Sequence, residues 1–312
     1  MNPAWSVILL TTLIGLGQGL LLAMFGVEVA SRLALTGAPA AVFYLAGSAL
    51  SVLCLGGGLL AAFFHLGHPE RAWRAAAMWR TSWLSREVIV LPAFIAAVTA
   101  YGAAHFYGWS CSLWIGATAA LLAIALFICT AMIYICLKFL QEWHTPLTLV
   151  NFILLGCASG LLAAAVLAGF VWPLLMPALA LVAGIVTAAA AVTRGMTLAR
   201  NALLRPASTL QSAIGISDPK IAQKAQGAMG GSFNTREFFH RRTLQFVRSA
   251  KWFFLTAAFA LPLLLIALSL TAAAPRLLTL AFAVQFAGLL AERWFFFAQA
   301  RHPQNLYYQV IS

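Results

Sequence analysis

The densest chemistry in this 312-residue sequence lies in Phe64-His65-Leu66-Gly67-His68-Pro69-Glu70-Arg71-Ala72-Trp73-Arg74 and, a little further on, Ser82-Trp83-Leu84-Ser85-Arg86-Glu87. A histidine such as His65 titrates near neutrality and can donate to a carbonyl, while a carboxylate such as Glu87 takes and releases protons. Arg71 or Arg86 can hold that carboxylate or a developing oxyanion. A quinone site needs these parts, because reducing a quinone consumes two electrons and two protons. An ordinary interfacial loop explains Arg74, Arg80, Trp73 and Trp79 without any chemistry. It explains His65 and Glu87 less well, since each sits where an apolar run meets the polar segment, and ionisable groups at membrane depth are expensive.

The elements that must position these residues are membrane helices. The chain is 63% apolar and only 8% charged, with a mean hydropathy of +0.93. That leaves too little charge for the surface of a soluble domain, where roughly a quarter of residues are charged. A spanning helix needs about 20 mostly apolar residues, and only helices or closed barrels satisfy their backbone groups in lipid. The runs are continuous rather than alternating, which excludes a barrel. The expected fold is all-α, a single polytopic bundle of about eight transmembrane helices over residues 1–312. Its spans fall near 5–31, 40–65, 86–107, 111–138, 147–169, 172–194, 249–271 and 276–299. Breakers such as Gly37, Gly67-His68-Pro69, Thr145-Pro146, Trp172-Pro173 and Ala274-Pro275 mark the connections. The first run lacks a basic flank and a cleavage site, so it reads as a retained helix rather than a signal peptide.

Charge orients the bundle. With eight spans, the even-numbered connections and both termini share one side, and that side carries 17 of the 19 basic residues, all but Arg32 and Arg276. The positive-inside rule then places both termini in the cytoplasm of a bacterial inner membrane. The net charge of +12 is accounted for by this asymmetry and by lipid headgroups, with no nucleic acid partner. Cys54, Cys111, Cys129, Cys136 and Cys157 lack metal-ligand spacing and read as small apolar residues, so no metal site is expected. The mid-span Gln18 and Gln285 read as bonds to neighbouring helices, and Glu28 with Arg32, four apart, as a pair on the first helix.

The one long connection, 195–248, contains Asn234 with Glu237 three residues on, the pattern of a capping box. A helix starting there would carry Phe238, Phe239, Leu244, Phe246 and Val247 among basic residues and run into the seventh span. Such a segment lies at the headgroups or serves as a docking platform. For docking, Arg236, Arg241 and Arg242 are the candidate contacts.

Several of these elements resemble a known family. His65-Leu66-Gly67-x-Pro69-x-Arg71-Ala72, followed by Ser82-x-Leu84-Ser85-x-Glu87, is similar to the membrane anchor subunits of dimethyl sulfoxide reductase. Trp143-x-Thr145-Pro146 and the Glu292-Arg293 pair followed by aromatic residues resemble that family too. Within it, Gly230 to His240 and the Arg301-His302-Pro303-Gln304-Asn305-Leu306-Tyr307-Tyr308 tail look most like the anchors of membrane-bound cytoplasmic sulfite dehydrogenases. The sixth connection is longer than in the reductase anchors.

The resemblance implies an anchor that binds ubiquinone or menaquinone. It also implies two partners, a four-cluster ferredoxin-like iron–sulfur subunit and a molybdopterin catalytic subunit. His65, Gly67, Arg71 and Glu87 are the expected quinone-site residues, with His65 and Glu87 catalytic. The expected flow is from sulfite oxidation on a partner into the quinone pool. The alternatives are quinol oxidation feeding a sulfur-compound reductase and, from another class, a transporter or proton channel. Haem b would need two histidines facing each other at similar depth, and no histidine falls deep within a span.

Overall fold

The computed structural model describes residues 1–312 apart from 38, 65, 223, 225–236, 273 and 308–312. Among the described residues, eight helices are long and apolar enough to cross a membrane. They are α1 (Trp5–Arg32), α2 (Ala41–Phe63), α3 (Trp83–Tyr107), α4 (Ser112–Ile135), α5 (Pro146–Val171), α6 (Met176–Ala202), α8 (Leu244–Thr271) and α9 (Arg276–Ala298). A short α7 (Leu210–Ile214) lies in the long connection. A 3-10 helix, Pro69–Ala76, follows α2, and another, Pro303–Tyr307, follows α9.

α3 and α5 start on side-chain caps, α3 three residues ahead of its expected start near 86. Ser82 caps α3 by accepting from Ser85 N at 3.3 Å, and Thr145 caps α5 ahead of Pro146. α1 occupies the centre, packed against α2, α4, α5 and α9. In lipid the helices gain nothing by hiding apolar surface from one another, so close backbone approach and polar bonds hold them together. At the α1–α5 crossing the approach is closest. A Cβ on Gly19 would lie 2.0 Å from the carbonyl oxygen of Gly156, and one on Gly160 would lie 2.0 Å from the carbonyl carbon of Gly19.

Polar bonds pin the other pairs. Gln18 Nε2 donates to the Ala123 carbonyl at 2.9 Å and Gln285 Nε2 to Thr187 Oγ1 at 3.1 Å, the neighbour-helix role read from the sequence. Asn151 donates to Thr197 at 2.8 Å and accepts from Thr193 at 2.9 Å, tying α5 to α6. α8 contains a π turn, Thr256–Ala260, seated against Gly288 of α9, where a Cβ would lie 2.2 Å from Ala258 N.

Two elements differ from expectation. α6 runs to Ala202 rather than ending near 194. Its last turns stay ordered because Arg200 Nη1 donates to the Gln141 carbonyl at 3.1 Å and to Asn201 Oδ1 at 2.9 Å. The helix expected to start at Asn234, itself outside the described residues, does not run through 238–243, and α8 starts at Leu244 with Thr243 as its cap. Tertiary contacts hold that stretch open. Phe238 stacks on His302 at 3.8 Å, Asn305 donates to the Phe238 carbonyl at 3.1 Å, and Arg241 takes a φ of 51°, which no right-handed helix accommodates.

Candidate functional site

The expected site residues lie in different surroundings. His65 and Arg236 lie outside the described residues. Gly67 is exposed, with open space where a Cβ would stand. Arg71 is also exposed, and its Nε lies 3.7 Å from Oε1 of its neighbour Glu70. Arg86 clamps its own loop, donating to the Trp79 and Arg80 carbonyls at 2.9 and 2.8 Å and lying 4.1 Å over the Trp83 ring. Glu87, by contrast, is 7% exposed and points into the bundle, where Thr130 Oγ1 donates to its Oε1.

Glu87 lines a cavity formed by α1, α3, α4, α5 and α9, together with Thr11, Thr12, Gln18, Thr130, Ser159 and Arg293. Glu87 is the fifth residue of α3, while Thr130 and Arg293 are each five residues before the last residue of their helix. At about 1.5 Å per residue, these groups lie about one to two turns inside the end of the bundle where the chain starts. The cavity volume is about 20 Å³. Around it, Thr11 and Thr12 donate to the Val7 and Ile8 carbonyls, Ser159 to Gly156 and Gln18 to Ala123.

Behind this wall sits a buried ionic cluster. Glu292 Oε1 lies 2.7 Å from Arg194 Nε and its Oε2 lies 2.8 Å from Arg293 Nε, with Arg194 and Glu292 side chains each 1% exposed. The Arg293 guanidinium also lies 4.2 Å over the Phe152 ring. Two arginines share one carboxylate, and one of them, Arg293, lines the same cavity as Glu87. From the sequence, Arg194 reads as a charge at a helix end and Thr130 as one residue of an apolar run among many. Only the Glu292-Arg293 pair stands out there, and that through resemblance.

At the opposite end of the bundle Glu28 is 3% exposed. It accepts from Ser112 Oγ at 2.6 Å and Tyr101 Oη at 2.8 Å, lies 3.3 Å from His105 Nε2, and has Arg32 at 3.9 Å. The expected pairing with Arg32 is thus its longest contact. Tyr44 stacks on His105 at 3.7 Å.

The 238–243 stretch borders a groove of about 1110 Å³ at the near end, lined by Arg241, Arg242, Lys251 and Arg301 among others. Arg242 is exposed, 5.3 Å over the Phe246 ring. Burial, with a smaller contribution from the chain's amino terminus, holds the imidazoles of His240 and His302 in this groove below the usual histidine range.

Likeness to known proteins decides the family. Residues 1–299 match the family described as DMSO reductase anchor subunit (DmsC). This chain belongs to that family. It is also 50% identical, over the full length of both chains, to a sulfite dehydrogenase subunit of Allochromatium vinosum. It is therefore a multi-pass membrane anchor subunit, and within the anchor family its likeness to the sulfite dehydrogenase branch runs the length of the chain. Two elements that carry the resemblance prove to be packing devices. Trp143 Nε1 donates to the Phe296 carbonyl at 3.0 Å, fastening the α4–α5 connection to α9. Thr148 Oγ1 donates to the Trp143 carbonyl at 2.8 Å, holding the start of α5 to it.

Proposed function

We propose that this chain is the quinone-reactive anchor of a sulfite-oxidising complex in a bacterial inner membrane. It would receive electrons from an iron–sulfur partner and pass them to ubiquinone or menaquinone, while sulfite is oxidised on a molybdopterin subunit. The observation that carries this reading is Glu87, a buried carboxylate beside a buried guanidinium, inside the basic end of an anchor-family bundle. A quinone would supply two-electron, two-proton acceptor chemistry. At about 20 Å³ the cavity beside Glu87 is too small for a quinone ring, so it suits the proton side of that chemistry and the ring belongs outside it. The segment between α2 and α3 suits the ring, with exposed Phe64 (83%) and Trp73 (72%) on either side of His65, Gly67 and Arg71. Glu87 holds or moves the proton, and Thr130 orients its carboxylate. The basic end, with Arg241, Arg242 and the groove, faces the cytoplasm and receives the soluble partners. The full-length relative favours this direction of flow over quinol oxidation.

The experiment is to make His65→Ala and Glu87→Gln in the assembled complex. Each is expected to cut quinone reduction by sulfite on the order of a hundredfold, the usual scale for losing a positioned acid–base group. Reduction of an artificial acceptor that takes electrons directly from the soluble subunits should stay normal. If both variants reduce quinone at the original rate, the site lies elsewhere.

A further inference from the structure

We infer that the cavity between Glu87 and Arg293 binds an ordered water that delivers protons to Glu87, with Arg293 as the residue that positions it. The inference rests on the reading of Glu87 above and adds a site and a residue to it.

Space comes first. A cavity of about 20 Å³ exceeds the roughly 10–15 Å³ that one water requires, provided the walls offer polar partners. The partners are specific. Thr11, Thr12, Gln18 and Ser159 already donate to backbone carbonyls, and Thr130 donates to Glu87. Arg293 is 5% exposed and lines the same cavity, yet its Nη1 has no hydrogen-bond partner among the described residues. A buried, unpartnered guanidinium N–H is costly, and such groups nearly always find protein or water. Thr130 bonds only Oε1 of Glu87, which leaves the second carboxylate oxygen to accept from the same water.

Charge supports the arrangement. Arg194 and Arg293 against Glu292 leave one positive charge over, and an ionised Glu87 brings the four groups to zero. The water would bridge the two unbalanced charges, donating to the anion and accepting from the cation. Delivery is a proton transfer only. One O–H bond of the water breaks as the Glu87 O–H bond forms, and a proton drawn from bulk solvent at the basic end restores the water, so the net change is one proton moved from solvent to Glu87. No electron moves in this step. Arg293 orients the water and takes no part in the proton exchange.

The test has two arms. A high-resolution map of the assembled complex should show a density peak within hydrogen-bonding distance of both Arg293 Nη1 and Glu87. An empty cavity there overturns the inference. In parallel, Arg293→Met removes the donor but leaves Arg194 paired with Glu292, so the buried Glu292 carboxylate keeps a partner. Its kcat for short-chain ubiquinone should fall tenfold or more with KM within twofold. The solvent deuterium isotope effect should rise as proton delivery becomes limiting. Arg293→Lys, which restores an N–H donor, should recover most of the rate in the same membranes. An unchanged kcat in Arg293→Met, with Glu87→Gln defective, overturns the water alone. Full turnover in Glu87→Gln overturns the quinone reading beneath it.

Discussion

Gly19→Ala tests whether backbone contact between α1 and α5 holds the bundle. The added Cβ would stand 2.0 Å from the Gly156 carbonyl oxygen and 2.6 Å from its carbon, where ordinary contact begins near 3.4 Å. The two helices must therefore part by about 1.4 Å, the difference between 3.4 and 2.0 Å. Because the obstacle is backbone, no side chain can rotate away to relieve it. Overpacking of this kind typically costs about 1–3 kcal/mol, and this position belongs at the upper end. A loss of about 2 kcal/mol is roughly a thirtyfold change in the folded-to-unfolded ratio. Gly26→Ala is the matched control, since a Cβ there meets nothing within 4 Å. It should be neutral or slightly stabilising, because alanine favours a helix more than glycine does. Titrating the purified anchor in mixed micelles with dodecyl sulfate, followed by circular dichroism, reads both. Gly160→Ala inserts into the same crossing, so the double variant should cost less than the sum of the singles. Equal midpoints for Gly19→Ala and Gly26→Ala would refute the claim that this crossing is held by contact.

Glu292→Gln should be among the most damaging single changes, since it strands Arg194 and Arg293 in the interior without their shared carboxylate. Breaking a buried ion pair from one side costs about 3–5 kcal/mol, and the amount of inserted, detergent-stable subunit measures it, with Arg194→Met expected to be milder. The groove predicts a pH effect. His240 and His302 are held below the usual histidine range by burial, so the folded groove binds protons less readily than the unfolded chain does. Their contribution is complete above the unfolded value of about 6.5 and is lost as pH falls below it. Protection from hydrogen exchange across 238–243 and 302–305, measured relative to the intrinsic rate at each pH, should fall between about pH 7 and pH 5, the range that brackets the unfolded value, while protection in α1 should not.

Eight spans are legible in the sequence because continuous apolar length is a strong signal and breakers mark its ends. The end of α6 is not, because Arg194 and Arg200 look alike in sequence. One is buried against Glu292, far along the chain, and the other bonds carbonyls of the α4–α5 connection. Nothing local distinguishes them. The expected run of helix through 238–243 fails for a related reason, since stacking of Phe238 on His302 and the bond from Asn305 are non-local and outweigh a local helix pattern. Glu87 can be picked out because a carboxylate just inside an apolar run is rare. Thr130, which helps complete its surroundings, gives no such signal, since a threonine in a span is commonplace, and Arg293 stands out only through the resemblance that the Glu292-Arg293 pair carries.

The central place of α1 also constrains how the molecule is made. Its neighbours are α2, α4, α5 and α9, and the helix it touches most intimately, α5, begins only at Pro146. During synthesis, α1 must therefore wait in the bilayer while the whole stretch up to α5 is inserted, with Glu28 and Gln18 exposed to lipid or to a chaperone. Glu28 finds Ser112 and Tyr101, and Gln18 finds Ala123, only once α3 and α4 are in place. The last span, α9, then seals the remaining side and brings Arg293 to the cavity. Nascent chains arrested before α5 should accordingly be held by insertion factors or cleared by membrane proteases, whereas chains arrested after α9 should already resist both.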